Sequence, residues 1–212
     1  MNQLSKWLQK PHKNQFYSVS RKEYYLNLST PKDVEDIIFK IKTIEKEHIY
    51  SEKSIKFNGI ALGTSQYSFI EQGNTPHYEI TNIHLGCITH TIFFYSEKIG
   101  KHKVFSQYHF VNDMLLWGVY LFENKLSRFE MIEIENTLKK KYDIKEEVTF
   151  ENTLLVDEHK NKLELKNEVI TAINYISGNE QVISNLAKMI AEHKTAVKIQ
   201  TTEENKNLFN KL

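Results

Sequence analysis

The sequence predicts an α+β protein, with antiparallel meander sheets covered by amphipathic helices, and three of its features carry that expectation. Apolar residues recur at helical spacing from Val34 to Ile44, the signature of a helix lying on a sheet. From Cys87 to Phe122 the pattern changes to β-branched and aromatic residues separated by turn signals, which reads as strands. Charge avoids the middle of the chain: residues 61–126 hold only 9 charged residues but 12 of the 25 aromatic ones, so this third should form the centre of the sheet.

In chain order, Thr30 can cap a helix over 31–48, with Pro31 at its first position and Asp33 near its positive end. Val34, Ile37, Ile38, Ile41 and Ile44 form its buried stripe. A short strand at Ser54–Phe57 follows, then a helix over 64–72 capped by Thr64 or Ser65, ended by Gly73 and kept from resuming by Pro76. The meander of 87–122 comprises Thr89–Tyr95, a turn at Glu97–Lys101, Val104–Phe110, a tight turn at Asn112-Asp113, and Leu115–Phe122. Ser127-Arg128-Phe129-Glu130 is a capping box that opens a helix over 127–142, with Phe129, Ile132 and Leu138 facing inward. Strands at Val148–Val156, Leu163–Leu165 and Val169–Ile176 form a second meander, and a C-terminal helix carries Val182, Ile183, Leu186, Met189 and Ile190. Residues 1–145 thus read as the main α+β domain, and 146–212 as a meander and helix packed on it. A strand at Tyr24–Leu28 would enter the sheet before the first helix.

Composition excludes several classes. Seven Gly and three Pro among 212 residues, with a rich aromatic complement, rule out collagen-like and disordered chains. The single Cys87 cannot form an internal disulfide, so a disulfide-built secreted scaffold is excluded. The first residues, MNQLSKWLQKPHKNQF, never reach the about 7 to 15 consecutive apolar residues of a secretory signal, and no window reaches the roughly 20 of a membrane span. A cytoplasmic location is expected. Leu4, Trp7 and Leu8 share a helical face that should cap the protein's own core. Lys outnumbers Arg by 26 to 2 and the net charge is +1, which disfavours nucleic acid as a partner. Phe16, Tyr17, Arg21, Lys22, Tyr24 and Tyr25 interleave rings with cations as a single-strand platform would, but the charge balance gives a polyanion little attraction.

Candidate chemistry is sparse. His77, His84, Cys87 and His90 have ligand types suited to zinc, but a strand through 84–90 would put His84 and His90 on one face and Cys87 on the other. His84 and His90 remain the metal candidates, and Cys87 is expected to be buried in an apolar setting. Gly59–Ser65 leads into a helix start that could hold an anion, but no phosphate-reaching Lys accompanies it. The carboxylate pairs Glu146-Glu147 and Asp157-Glu158 fall in polar turns, where charge is solvated. No nucleophile elbow, zinc-protease, dinucleotide or P-loop motif occurs, and nothing calls for a cofactor.

The run Phe57–Ser65, a short helix closing at Gly73-Asn74-Thr75-Pro76, three strands, and Phe110-Val111-Asn112-Asp113-Met114-Leu115 resemble a known module. It is the small α+β unit of the bacterial outer-membrane-assembly lipoproteins and of the β-lactamase-inhibitor protein. The resemblance covers residues 57–122 and implies a non-enzymatic binding scaffold, with no catalytic residue to carry over. The signal peptide and lipidated Cys of the lipoproteins are not matched here.

Together these features lead to a cytoplasmic bacterial protein that binds another protein, a toxin-neutralising immunity protein being one concrete form. Exposed rings of the meander, Tyr108, His109, Trp117 and Tyr120, are the expected contacts. The alternative is an enzyme or ligand-binding domain with a cleft lined by His84, His90 and His109 on neighbouring strands.

Overall fold

A computed structural model describes residues 31, 34–42, 46–146 and 153–209. The chain divides into two compact units, 1–32 and 33–212, and the architecture below is that of the second. The expected strand at Tyr24–Leu28, the helix cap at Thr30, the apolar face of Leu4, Trp7 and Leu8 and the ring-and-cation segment from Phe16 to Tyr25 lie outside the described residues.

The elements are α1 (Val34–Lys42), β1 (Glu47–Ser51), β2 (Lys56–Phe57), β3 (Ile60–Ala61), α2 (Gln66–Glu71), β4 (Tyr78–His84), β5 (Ile88–Ile99), β6 (His102–Val111) and β7 (Met114–Phe122). They continue with α3 (Arg128–Tyr142), β8 (Thr153–Asp157), β9 (Lys162–Asn167), β10 (Thr171–Ile176) and α4 (Glu180–Phe209). Eight strands form one sheet in the order β1-β8-β9-β10-β7-β6-β5-β4, with β2 and β3 as a separate hairpin. The α+β class holds. The sheet is mixed rather than purely antiparallel, because β1 runs parallel to β8. Strands on either side of residue 145 share this sheet, joined where β10 pairs with β7.

Local sequence accounts for the element ends. Asn112 and Asp113 both take positive φ (46° and 68°), as a two-residue hairpin turn between β6 and β7 requires. Ser65 caps α2 by accepting from Ser68 N–H, and Gly73 closes that helix at φ +83°. The Ser127–Glu130 capping box forms as expected, and Asp143 ends α3 in the left-handed conformation.

Several expectations need correcting. The first helix ends by Lys42 among the described residues, and 47–51 pair as β1 instead of continuing it, since the partner strand β8 overrides local helical spacing. Residues 78–84 form β4, and Leu85-Gly86, both at positive φ, make the turn into β5. A continuous strand through 84–90 is therefore ruled out. The inward face of α3 carries Met131, Glu135, Leu138 and Tyr142, whereas Phe129 and Ile132 are exposed. Cys87 is exposed in its turn, not buried.

Register assigns the side chains to two faces. On the first, Phe93, Tyr108, Tyr120, Leu155, Leu163, Ile173 and Tyr175 join Phe69 of α2 and Met131, Leu138 and Tyr142 of α3 in one hydrophobic core. Its keystone is Phe57, fully buried, whose ring lies 4.5 Å from Tyr108, 4.7 Å from Tyr120 and 5.1 Å from Tyr175 between centroids. The ring occupies the space above Gly118, where a Cβ would come within 2.2 Å of it. Here glycine is needed for close approach, not for turn geometry. The Phe57 hairpin is further tied down by Asp157, which accepts the Ile55 N–H at 2.7 Å as well as the backbone N–H groups of His159 and Asn161. Asp157 is thus buried and hydrogen-bonded, contrary to the solvated charge expected of its turn, while Glu158 is exposed beside His159.

Candidate functional site

The second face of the sheet carries the histidines. Antiparallel pairing sets Asn82 opposite His90 and His84 opposite Ile88, so His84 and His90 point the same way from β4 and β5. His90 pairs with Val111 and Ile92 with His109, which places His109 on the same face one residue pair along β6. Their rings form a row: His84 to His90 is 5.7 Å between centroids, and His90 to His109 is 5.3 Å. His109 then stacks on Trp117 of β7 at 4.0 Å and 21°.

The row continues as polar contacts. Trp117 Nε1–H donates to Asn174 Oδ1 (3.1 Å), and Asn174 Nδ2–H donates to Glu164 Oε2 (3.3 Å). Glu164, itself buried, receives Lys46 at 3.2 Å and Lys166 at 3.4 Å. A connected chain of polar and aromatic groups therefore crosses six strands from β9 to β4. Burial of so many polar groups is sustained by hydrogen bonds from Trp117 through Asn174 to Glu164 and from His90 through His109 to Gln107, with ring stacking joining the two runs.

Proton positions in the row follow from its acceptors. With Gln107 Oε1 accepting from His109 Nε2–H at 3.1 Å, neutral His109 offers Nδ1 as an acceptor, and His90 Nε2–H donates to it at 3.0 Å. His90 Nδ1 is left as a bare lone pair that makes no hydrogen bond. Burial, reinforced by the neighbouring His84, pushes the His90 pKa down to about 3, so the ring is neutral at ordinary pH. His90 and His109 are both 0% exposed. The histidines converge as the cleft reading expected, but in a packed row in which these two rings are sealed from solvent.

The other expected residues disperse. His77 accepts from Ser96 N–H and lies against Tyr95, seven residues and roughly 23 Å of strand from His84. Cys87 sits in the β4–β5 turn. The four zinc candidates therefore do not gather, and among the described residues no group of three or more His, Cys, Asp or Glu is placed to hold a metal. The loop before α2 offers no anion cradle, because Gly63 N–H donates to Leu115 O and Gln66 N–H to Asp113. Of the carboxylate pair Glu146-Glu147, Glu146 is exposed and Glu147 lies outside the described residues.

The four rings expected to be exposed contacts are all buried, and they do not form one patch. Tyr108 and Tyr120 belong to the first-face core, His109 and Trp117 to the second face. The physical reason is that β6 and β7 are interior strands of an eight-stranded sheet, buried along nearly their whole length.

What sequence reasoning missed is the strand at the sheet's edge. Among the described residues β4 pairs only with β5, and Glu79, Thr81 and Ile83 project exposed from it. Ile83 is 69% exposed. The signal was present in Tyr78-Glu79-Ile80-Thr81-Asn82-Ile83-His84, a seven-residue run with three β-branched residues and a tyrosine bounded by Pro76 and Gly86.

No helix among the described residues is long and apolar enough to cross a membrane. No protein-family model, curated protein or solved structure matches the chain.

Proposed function

We propose that this is a non-enzymatic binding protein of the bacterial cytoplasm that captures another polypeptide by strand addition along β4. The observation that carries the reading is that, among the described residues, β4 pairs only with β5 and carries Thr81 and Ile83 exposed. An edge strand presents a row of free N–H and C=O groups to an incoming chain. Side chains along such an edge then select the sequence. A toxin neutralised by having one of its own strands paired in this way is the concrete form of the reading, and nucleic acid has no part in it.

The test is capture of the tagged protein from native lysate through a high-salt wash, followed by hydrogen exchange on the isolated complex. Slowed exchange at the amides of 78–84, and loss of the complex in the T81K/I83K variant, are the expected results. Lysines on an edge strand oppose pairing while leaving the exposed positions soluble. A complex that survives T81K/I83K with β4 exchange unchanged would overturn strand addition.

A second reading is favoured by the convergence of His84, His90 and His109. It makes the histidine row a small-molecule or metal site reached when the sheet face opens. Titration with zinc while following the three imidazole resonances tests it, and unshifted signals at millimolar zinc would dismiss the metal version.

A further inference from the structure

Between α3 and the first face of the sheet lies a cavity of about 700 Å³, within the roughly 300–1,000 Å³ of small-molecule sites. None of its lining residues belongs to β4, so it is independent of the edge just described. Its floor is Tyr120 and Phe122 of β7 with Ile173 and Tyr175 of β10, and Ile134 and Leu138 of α3 form the wall. The β5–β6 turn closes one end.

Charge is arranged asymmetrically along this space. At the end nearer the start of α3, Glu130 is paired with Lys101 at 3.0 Å. The hydrogen bonds from Ser127 and the Lys101 ammonium hold its carboxyl down at about 2. Glu133, exposed one turn further along, adds a second negative charge on that side. At the other end stands Lys141, about 16 Å away along the helix. Its ammonium lies 5.2 Å from the Tyr142 ring and 5.9 Å from the Tyr175 ring, and among the described residues no carboxylate pairs with it. A cation resting on rings at the mouth of an apolar cavity is suited to receive an anion.

We infer that the cavity binds an amphiphilic carboxylate, the apolar chain lying along Phe122, Ile134 and Ile173 and the carboxylate meeting Lys141. With Glu130 and Lys101 offsetting each other, the charge of Glu133 repels the headgroup from the opposite end and so fixes the direction of entry. The alignment buries apolar surface on both partners and leaves the ion pair at the rim, where an anion need not be fully desolvated.

The experiment is calorimetric titration of the full chain with decanoate and, separately, with decylammonium, alongside methyl resonances of Ile99, Ile134 and Ile173. Decanoate should bind and shift these methyls, and decylammonium should bind at least tenfold more weakly. K141M keeps the aliphatic stem and should lower decanoate affinity tenfold or more. T137W, a substitution at an exposed position on the cavity rim, should abolish binding, with unchanged melting of both variants confirming the fold. Absence of decanoate binding at millimolar concentration, equal binding of decylammonium, or wild-type affinity in K141M would each overturn the assignment.

Discussion

The two faces of this sheet are built from the same strands, yet they solve burial in opposite ways. The first face is aromatic and aliphatic, organised around one ring seated above one glycine. The second runs polar groups in series from Glu164 through Trp117 to the histidines. An apolar face gains in proportion to area and tolerates approximate geometry, whereas a polar row must place every donor and acceptor. Where the demand is not met, as at His90 Nδ1, a buried polar atom is left without a hydrogen bond. The difference shows where the molecule should respond to pH and where only to volume.

The largest expected effect separates the faces by pH. His90 is held neutral when folded, near pKa 3, but titrates around 6.5 when unfolded. The unfolded chain therefore binds a proton below about pH 6.5 that the folded chain refuses. Stability from this residue is complete above that pH and declines toward pH 3, a loss on the order of 4 kcal/mol at the bottom of the window. Urea unfolding from pH 7.5 to 3.5 should show this slope, and His90→Leu should flatten it whatever its stability at neutral pH.

Next comes the apolar keystone. Phe57→Ala empties the socket between three tyrosines and should cost about 3–5 kcal/mol, with no change in pH dependence. Gly118→Ala forces the Phe57 ring aside and should cost about 1–3 kcal/mol by overpacking. Combining the two should cost less than their sum, since removing the ring relieves the clash. Additive costs in the double variant would refute the socket. The smallest effect is at the helix start: Ser127→Ala removes the cap of α3 and should cost about 0.5–2 kcal/mol on either side of pH 6.

The same contrast explains what was legible in the sequence. Features set within a few residues were readable: the Ser127–Glu130 capping box, the Asn112-Asp113 turn, the Ser65 cap and the stop at Gly73. Features set by distant partners were not. Residues 47 and 48 looked like the end of a helix because their partner β8, far along the chain, makes them a strand. Phe129 and Ile132 looked inward because hydrophobicity was read as burial, whereas packing selects Met131 and Glu135 instead. The site shows the same division. That His90 and His109 would lie on neighbouring strands followed from strand order, but His84 sits on the edge strand that was missed, and the sealing of His90 and His109 depends on a face that sequence does not identify. Tyr108 and Tyr120 were taken for surface because alternation alone cannot show that an interior strand is covered on both sides.

The parallel pairing of β1 with β8 also bears on how the chain is born. Glu47 meets Thr153, so a strand made early must wait for one made roughly a hundred residues later. During synthesis the hairpins from β4 to β7 can assemble as they leave the ribosome, each beside its predecessor. Among the described residues the 47–51 segment has no such neighbour, and it waits, Tyr50 and Ile49 included, open to chaperones or to wrong partners until translation passes residue 157. The first strand among the described residues is thus among the last to be placed, and nascent chains stalled before that point would be the ones most prone to aggregate.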